Sequence, residues 1–186
     1  MNVNIIEIVR EHQKVIQDLE NYLPIINTIA EKMIGAIRQQ GTIFWMGNGG
    51  SAADAQHMAA ELVGRFLKER KALSSIALTT DTSILTSVGN DYGFDTIFSR
   101  QIEGLCKPQD VIIGLSTSGN SENVIRAIEL GNKIGAYTIA MTGESGGKLK
   151  SMASCCLTVP SKVTARVQEG HTLIGHILCE IIDNAF

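Results

Sequence analysis

The chain has 186 residues, 44% apolar and 19% charged, with 16 Lys and Arg set against 19 Asp and Glu. These totals fit one soluble globular domain with a sizeable core. A net charge of −3 argues against a nucleic-acid surface, and no apolar run approaches the roughly 20 residues that a membrane span needs.

The first residues, MNVNIIEIVREHQ, mix charges early and have no signal-peptide core. Residues 3–40 read as two helices. Ile5, Ile6, Val9, Val15, Ile16 and Leu19 recur near helical spacing, Pro24 marks a break or a start, and Ile25 to Ile37 continue the period until Gly41. This helical pair provides either an oligomer surface or a cover for its own sheet; the pattern supports both.

Thr42 to Met46 reads as a strand that ends in Gly47-Asn48-Gly49-Gly50-Ser51, with a helix from about Ala52 to Leu67 behind it. Strand, Gly-rich turn and helix form the doubly wound unit. The turn is not GxGxxG and no acidic residue ends the next strand, so a dinucleotide site is rejected. Ser74 to Leu78 is a second strand. Asp81 caps a helix through Val88, a polar loop spans 89–93, and a further helix spans Asp95 to Leu105. Val111 to Leu115, Tyr137 to Met141 and Cys155 to Val159 are three more strands. Helices Asn123 to Ile134 and Thr164 to Asp183 follow the first and last of these. Strands alternating with helices, rich in Val and Ile, predict an α/β fold with a mostly parallel five-stranded sheet covered on both faces. No linker or low-complexity tract divides the chain, so residues 1–186 are expected to form one domain: N-terminal helices 1–40 and an α/β body 41–186. Cys106, Cys155, Cys156 and Cys179 form no CxxC pair. They read as buried free thiols of a reducing cytoplasm.

The loop Ser116-Thr117-Ser118-Gly119-Asn120-Ser121 stands between a strand and a helix. A capping turn needs one hydroxyl; four hydroxyls in six residues exceed that. Hydroxyls and free N–H groups at a helix N-terminus suit a phosphate dianion. With no Walker-type Lys in the loop, a sugar phosphate fits better than a nucleoside triphosphate.

Two helices offer further chemistry. On the first, Asp54, His57, Glu61 and Arg65 share the side opposite Ala55, Met58, Ala59, Leu62, Val63 and Phe66. His57 and Glu61 are neighbours at a spacing of four; alone they amount to an exposed pair. On the last helix, Gln168, Thr172 and His176 form a polar row beside the stripe Val167, Ile174, Leu178 and Ile181. His171 falls nearer that stripe and reads as a core or interface histidine. If the two helices converge, His57, Glu61, Gln168 and His176 present a donor set for a divalent metal such as Zn²⁺. The same groups can move protons: a carboxylate raised in pKa by burial takes one from carbon next to a carbonyl, and an imidazole serves the neighbouring oxygen.

GNGGSAADAQHMAAELVGRF, SVGNDYGFDTIFSRQIE, STSGNSENVIRAI and TARVQEGHTLIGH together resemble the sedoheptulose-7-phosphate (phosphoheptose) isomerases of the sugar isomerase (SIS) domain superfamily. STSGNS alone indicates only the wider sugar-phosphate-binding fold. The resemblance implies a flavodoxin-like three-layer sandwich, assembled as a homotetramer with sites at subunit interfaces. It implies conversion of sedoheptulose 7-phosphate to D-glycero-D-manno-heptose 7-phosphate, a step toward ADP- or GDP-heptose for lipopolysaccharide or capsule. It assigns phosphate binding to Ser116, Thr117, Ser118 and Ser121, and sugar contacts to Asn48, Gly49, Gly50, Ser51, Asn90, Asp91 and Gln168. Glu61 matches the base and His176 its acid partner. His57, Glu61, Gln168 and His176 match the ligands of one Zn²⁺ per subunit in zinc-bound members. Pro160-Ser161-Lys162-Val163-Thr164 departs from the aromatic-containing version of some members.

The alternative of a different class is a non-catalytic relative that binds a replication initiator. Such relatives lack the carboxylate at Glu61 and the imidazole at His176, and both are present here. A regulator or isomerase of hexose phosphates fits the His57/Glu61 and Gln168/His176 pairs less well.

Overall fold

The structure is a computed structural model that describes residues 4–186; Val3, the expected start of the first helix, lies outside them. Helix α1 spans Ile5–Asp18 and starts where the Asn4 side chain accepts from Glu7 N. A short 3₁₀ turn leads into α2, Leu23–Arg38, which carries Pro24 in its first turn, where its missing N–H costs nothing. The body follows as β1 (Ile43–Gly47), α3 (Gly50–Val63), β2 (Ser75–Ala77), α4 (Thr82–Tyr92), α5 (Ser99–Leu105) and β3 (Val111–Ser116). It continues as α6 (Glu122–Ile134), β4 (Tyr137–Thr142), α7 (Leu149–Met152), β5 (Cys155–Thr158) and α8 (Thr164–Asp183).

All five strands are parallel, in the order β2-β1-β3-β4-β5. Alternating strand residues feed two cores, one on each sheet face. Ile43, Trp45, Ile113, Leu115 and Met141 join Ile29 and Met33 of α2, Met58 and Leu62 of α3 and Ile174 and Leu178 of α8. Phe44, Met46, Ile112 and Ala140 join Phe98 and Ile102 near α5 and Val124 and Ile128 of α6. Burial on both faces explains the near-continuous apolar strands. The expected three-layer α/β architecture is the one observed.

Three expected boundaries are corrected. The helix expected from Asp95 opens as a separate 3₁₀ turn, Phe94–Thr96, and α5 starts only at Ser99. Helix α3 stops at Val63, not Leu67, because the Arg70 guanidinium takes the carbonyls of Glu61 and Leu62 and turns the chain away at Gly64. Helix α4 runs through the expected polar loop to Tyr92, since Leu85 and Val88 pack on the second core and carry the helix past Gly89.

Helix α2 is buried along one side by the sheet, whereas α1 leaves Ile5, Ile6 and Val9 exposed and leans on α8 through Arg166, which donates to Ile8 O. Of the two outcomes foreseen for the N-terminal helices, α2 meets the second, covering its own sheet; α1 leaves an apolar side exposed.

Candidate active site

Strand order reverses at β1, whose two neighbours are β2 and β3. In open parallel sheets ligands bind outside the carboxyl ends of strands at such a switch point. Gly47 pairs with Leu115, so the loops after β1 and β3 leave the sheet at the same level. A reciprocal amide pair joins them: Asn48 Nδ2 donates to Asn123 Oδ1 at 2.9 Å, and Asn123 Nδ2 donates to Asn48 Oδ1 at 2.8 Å. The two Gly/Ser motifs are therefore adjacent walls of one hollow of about 310 Å³. Asn48, Gly49, Gly50 and Ser51 line one side, Ser116, Thr117 and Ser121 another, and Gln168 with Thr164 a third.

Within the β3 loop, the Ser116 and Ser121 hydroxyls are 2.9 Å apart, and Ser121 stands at the N-cap of α6. The cap makes no side-chain bond within its helix. Of the first N–H groups of α6, that of Val124 donates to Asn123 Oδ1; those before it lie at the end of the helix where an anion is favoured. Gly119 has φ +68°, and a β-carbon there would collide with the Gly146 carbonyl, so the turn demands glycine. Ser118 faces a neighbouring hollow and accepts from Asn120 N. Asn90 and Asp91 are exposed at the end of α4, bond to each other, and do not line the Ser-loop hollow. A larger hollow, about 690 Å³, opens at the opposite, amino ends of β3 and β4 beside Asp110 and Tyr137; that is the wrong end of a parallel sheet for a ligand.

Helices α3 and α8 run side by side in parallel, and three rungs join them. The Gln168 amide lies over Gly50, where a β-carbon would meet its Nε2 at 2.5 Å. One turn on, Thr172 Oγ1 donates to Asp54 Oδ1 at 3.1 Å. Next, the Nε2 atoms of His176 and His57 approach to 3.5 Å. Glu61 Oε1 lies 3.1 Å from the same His57 nitrogen and keeps 23% of its side chain exposed. Phe66, beyond the end of α3, stacks on the His176 ring at 5.5 Å. The convergence of the two helices, on which the expected chemistry depends, is present.

One ligand atom from each of His57, Glu61 and His176 lies within 4.8 Å of the other two. A single N–H on His57 cannot serve both neighbours at full strength, whereas a cation among the three lone-pair atoms satisfies all of them. Imidazole nitrogen and carboxylate oxygen are also ligands that zinc accepts, so this donor set fits such an ion.

Two residues enter the site in roles that their sequence context does not announce. Sequence spacing puts Asp54 on a polar helix face and no more. Burial raises its pKa, against the Thr172 bond and the nearby His57 and His176. Asn123 stands in the sequence only as a helix start. The spacing of four through Thr172 is the available signal for the first; nothing local signals the second. His171, by contrast, is the core histidine expected: its Nε2 meets Thr142 O at 3.3 Å, and burial lowers its pKa to about 4.

Residues 8–143 match the family described as SIS domain. The chain is 53% identical over 177 residues to the phosphoheptose isomerase of Nitratiruptor sp., covering 95% of each chain. It is 56% identical over 165 residues to that of Aquifex aeolicus, covering 89% of this chain and 86% of the relative. This chain belongs to the phosphoheptose isomerase family. The solved phosphoheptose isomerase of Neisseria gonorrhoeae superposes with a TM-score of 0.91 at 43% identity, covering 97% of both chains. Membership of the phosphoheptose isomerase family makes the chain an isomerase, and the resemblance read from the four motifs holds over almost its whole length. These relatives lend no support to the replication-initiator alternative. Among the described residues, no helix is long and apolar enough to cross a membrane.

Proposed function

We propose that the chain interconverts sedoheptulose 7-phosphate and D-glycero-D-manno-heptose 7-phosphate through an enediol. The observation that carries this reading is the meeting of Glu61 and His176 around His57 on neighbouring helices, about two turns along those helices from a hydroxyl-lined hollow at the sheet's carboxyl edge. Ser116, Thr117 and Ser121, with the start of α6, hold the phosphate; Ser118, which faces the neighbouring hollow, is assigned to it by the family motif alone. Asn48, Gly49, Gly50, Ser51 and Gln168, which line the hollow, hold the sugar; Asn90 and Asp91, which lie outside it, are assigned to the sugar by the family motif alone.

Glu61 takes a proton from C1 of the ketose while the C2 carbonyl oxygen gains one, giving the enediol. Glu61 then returns its proton to C2, and the C1 hydroxyl loses its own to become the aldehyde. His176 moves the oxygen-bound protons, keeping each step neutral overall. Thr172, Asp54 and Phe66 hold the helices and the His176 ring in place for this exchange.

His57, Glu61 and His176 would hold one Zn²⁺ per subunit; Gln168, which lies over Gly50 in this structure, is assigned as a further ligand by the family motif alone. The ion would supply positive charge against the oxygen that becomes negative as the C–H bond breaks. The exposed apolar side of α1, Ile5, Ile6 and Val9, supports assembly into a homotetramer with sites at subunit interfaces. The setting is the cytoplasm, and the product feeds nucleotide-activated heptose for lipopolysaccharide or capsule. A negative net charge and the lack of a spanning helix among the described residues support a small-molecule substrate over nucleic acid or membrane. The test is incubation of the purified protein with sedoheptulose 7-phosphate, coupled to detection of the aldose, with metal content measured on the same sample. Aldose formation with about one zinc per chain supports both parts. Absence of turnover sinks the reaction, and turnover without metal sinks only the zinc.

A further inference from the structure

Arg70 and Asp183 are the most deeply buried ion pair among the described residues, with side chains 2% and 1% exposed. Neither belongs to the hollow or to the histidine cluster. Every nitrogen and oxygen of the two charged groups is bonded. Arg70 Nε donates to Asp183 Oδ1 at 2.6 Å, Nη1 donates to Leu62 O at 2.9 Å, and Nη2 donates to Glu61 O at 2.9 Å. Asp183 Oδ2 accepts from Leu67 N at 2.7 Å and Lys68 N at 2.9 Å.

A buried ion pair is a weak device for stability, because desolvation offsets its attraction and an apolar replacement often does as well. What a planar guanidinium bonded at all three nitrogens supplies is fixed geometry. Here it is fixed at a telling place. The last carbonyls of a helix have no partner within it, and on α3 two of them, including that of Glu61, go to Arg70. Asp183 is the last residue of α8, two turns beyond His176. The pair therefore spans from the peptide of the carboxylate-bearing residue to the end of the imidazole-bearing helix. The other end of the same helix pair is held by the Thr172–Asp54 bond. Between these two fixed ends lie His57, Glu61 and His176.

We propose that the Arg70–Asp183 pair is a positioning device for the isomerase site, holding the last turn of α3 against the end of α8 so that Glu61 and His176 keep their separation. This inference rests on the reading that Glu61 and His176 carry the reaction. A misplacement of about 1 Å in a reacting group can cost up to about 10²-fold in rate. Loss of the pair should therefore lower kcat more than it raises KM, because the phosphate loop lies on β3 and α6 and is untouched.

The experiment compares kcat and KM for sedoheptulose 7-phosphate in wild type, Arg70→Lys and Asp183→Asn, below the melting temperature of each. A core substitution on α2, Ile26→Val, serves as a control for lost stability alone. The expected result is a fall in kcat of about tenfold or more in both pair variants, KM within about threefold, and an unchanged kcat in the control. Folded variants with kcat within twofold of wild type overturn the proposal. So does a kcat loss that the α2 control reproduces at equal melting temperature. If both pair variants are insoluble, Asp183→Glu replaces them, keeping the charge but moving it by one methylene. Insolubility of that variant too makes the pair a folding requirement and overturns the positioning role. A wild type without turnover, or a Glu61→Gln variant that retains it, instead sinks the underlying mechanism and is recognised separately.

Discussion

The Nε2 atoms of His57 and His176 stand 3.5 Å apart although 119 residues separate them in the chain. The approach follows from a parallel pairing of α3 and α8, in which residues one turn apart on one helix meet residues one turn apart on the other. Glu61, one turn beyond His57, is thereby brought to the same place as His176.

If His176 moves protons between the two sugar oxygens, His176→Gln lowers kcat by about 10²-fold or more, with the melting temperature little changed because the ring is only partly buried. Steady-state kinetics on the purified variant checks this. A rate within a few-fold of wild type removes His176 from the mechanism.

The double change Ser116→Ala and Ser121→Ala should chiefly raise KM. Phosphate binding supports ground state and transition state alike, so kcat is spared. The two hydroxyls are 2.9 Å apart at the start of α6, and both line the hollow. A drop in thermal stability with KM unchanged would make the loop a helix cap instead of a cradle.

His171 gives the fold a pH dependence of known sign. Burial lowers its pKa from 6.5 to about 4, and its Nδ1 has no partner among the described residues. The unfolded chain therefore binds the proton first. The contribution is complete above pH 6.5 and is lost as the pH falls toward 4, a change on the order of 3 kcal/mol. Urea unfolding at about pH 7, 5.5 and 4 should show this loss in wild type and a clearly shallower one in His171→Leu. Parallel curves for the two proteins contradict the assignment.

Much of the fold is legible in the sequence because its signals are local. Apolar strands Val111–Ser116 and Tyr137–Thr142 and the helix Thr164–Asp183 lie within a residue of their expected limits. The end of α3 is not legible, because it is set by Arg70 and by Asp183, which lies 113 residues further along the chain. The course of α4 escapes local reading for a similar reason: Leu85 and Val88 find their core partners on other elements. In the site, spacing within each helix is readable in His57/Glu61 and in Gln168/Thr172/His176. Their meeting is not, since register between two helices is a property of packing. Asn123 has no periodic signal at all; its amide matters only because β1 and β3 are neighbours in the sheet.

The most direct measurement is turnover of sedoheptulose 7-phosphate by Glu61→Gln, prepared beside wild type and matched to it in melting temperature and phosphate affinity. The variant keeps the shape of the side chain but cannot accept a proton from carbon. Wild type should form aldose and the variant none detectable; sustained turnover in a clean Glu61→Gln preparation removes Glu61 as the base.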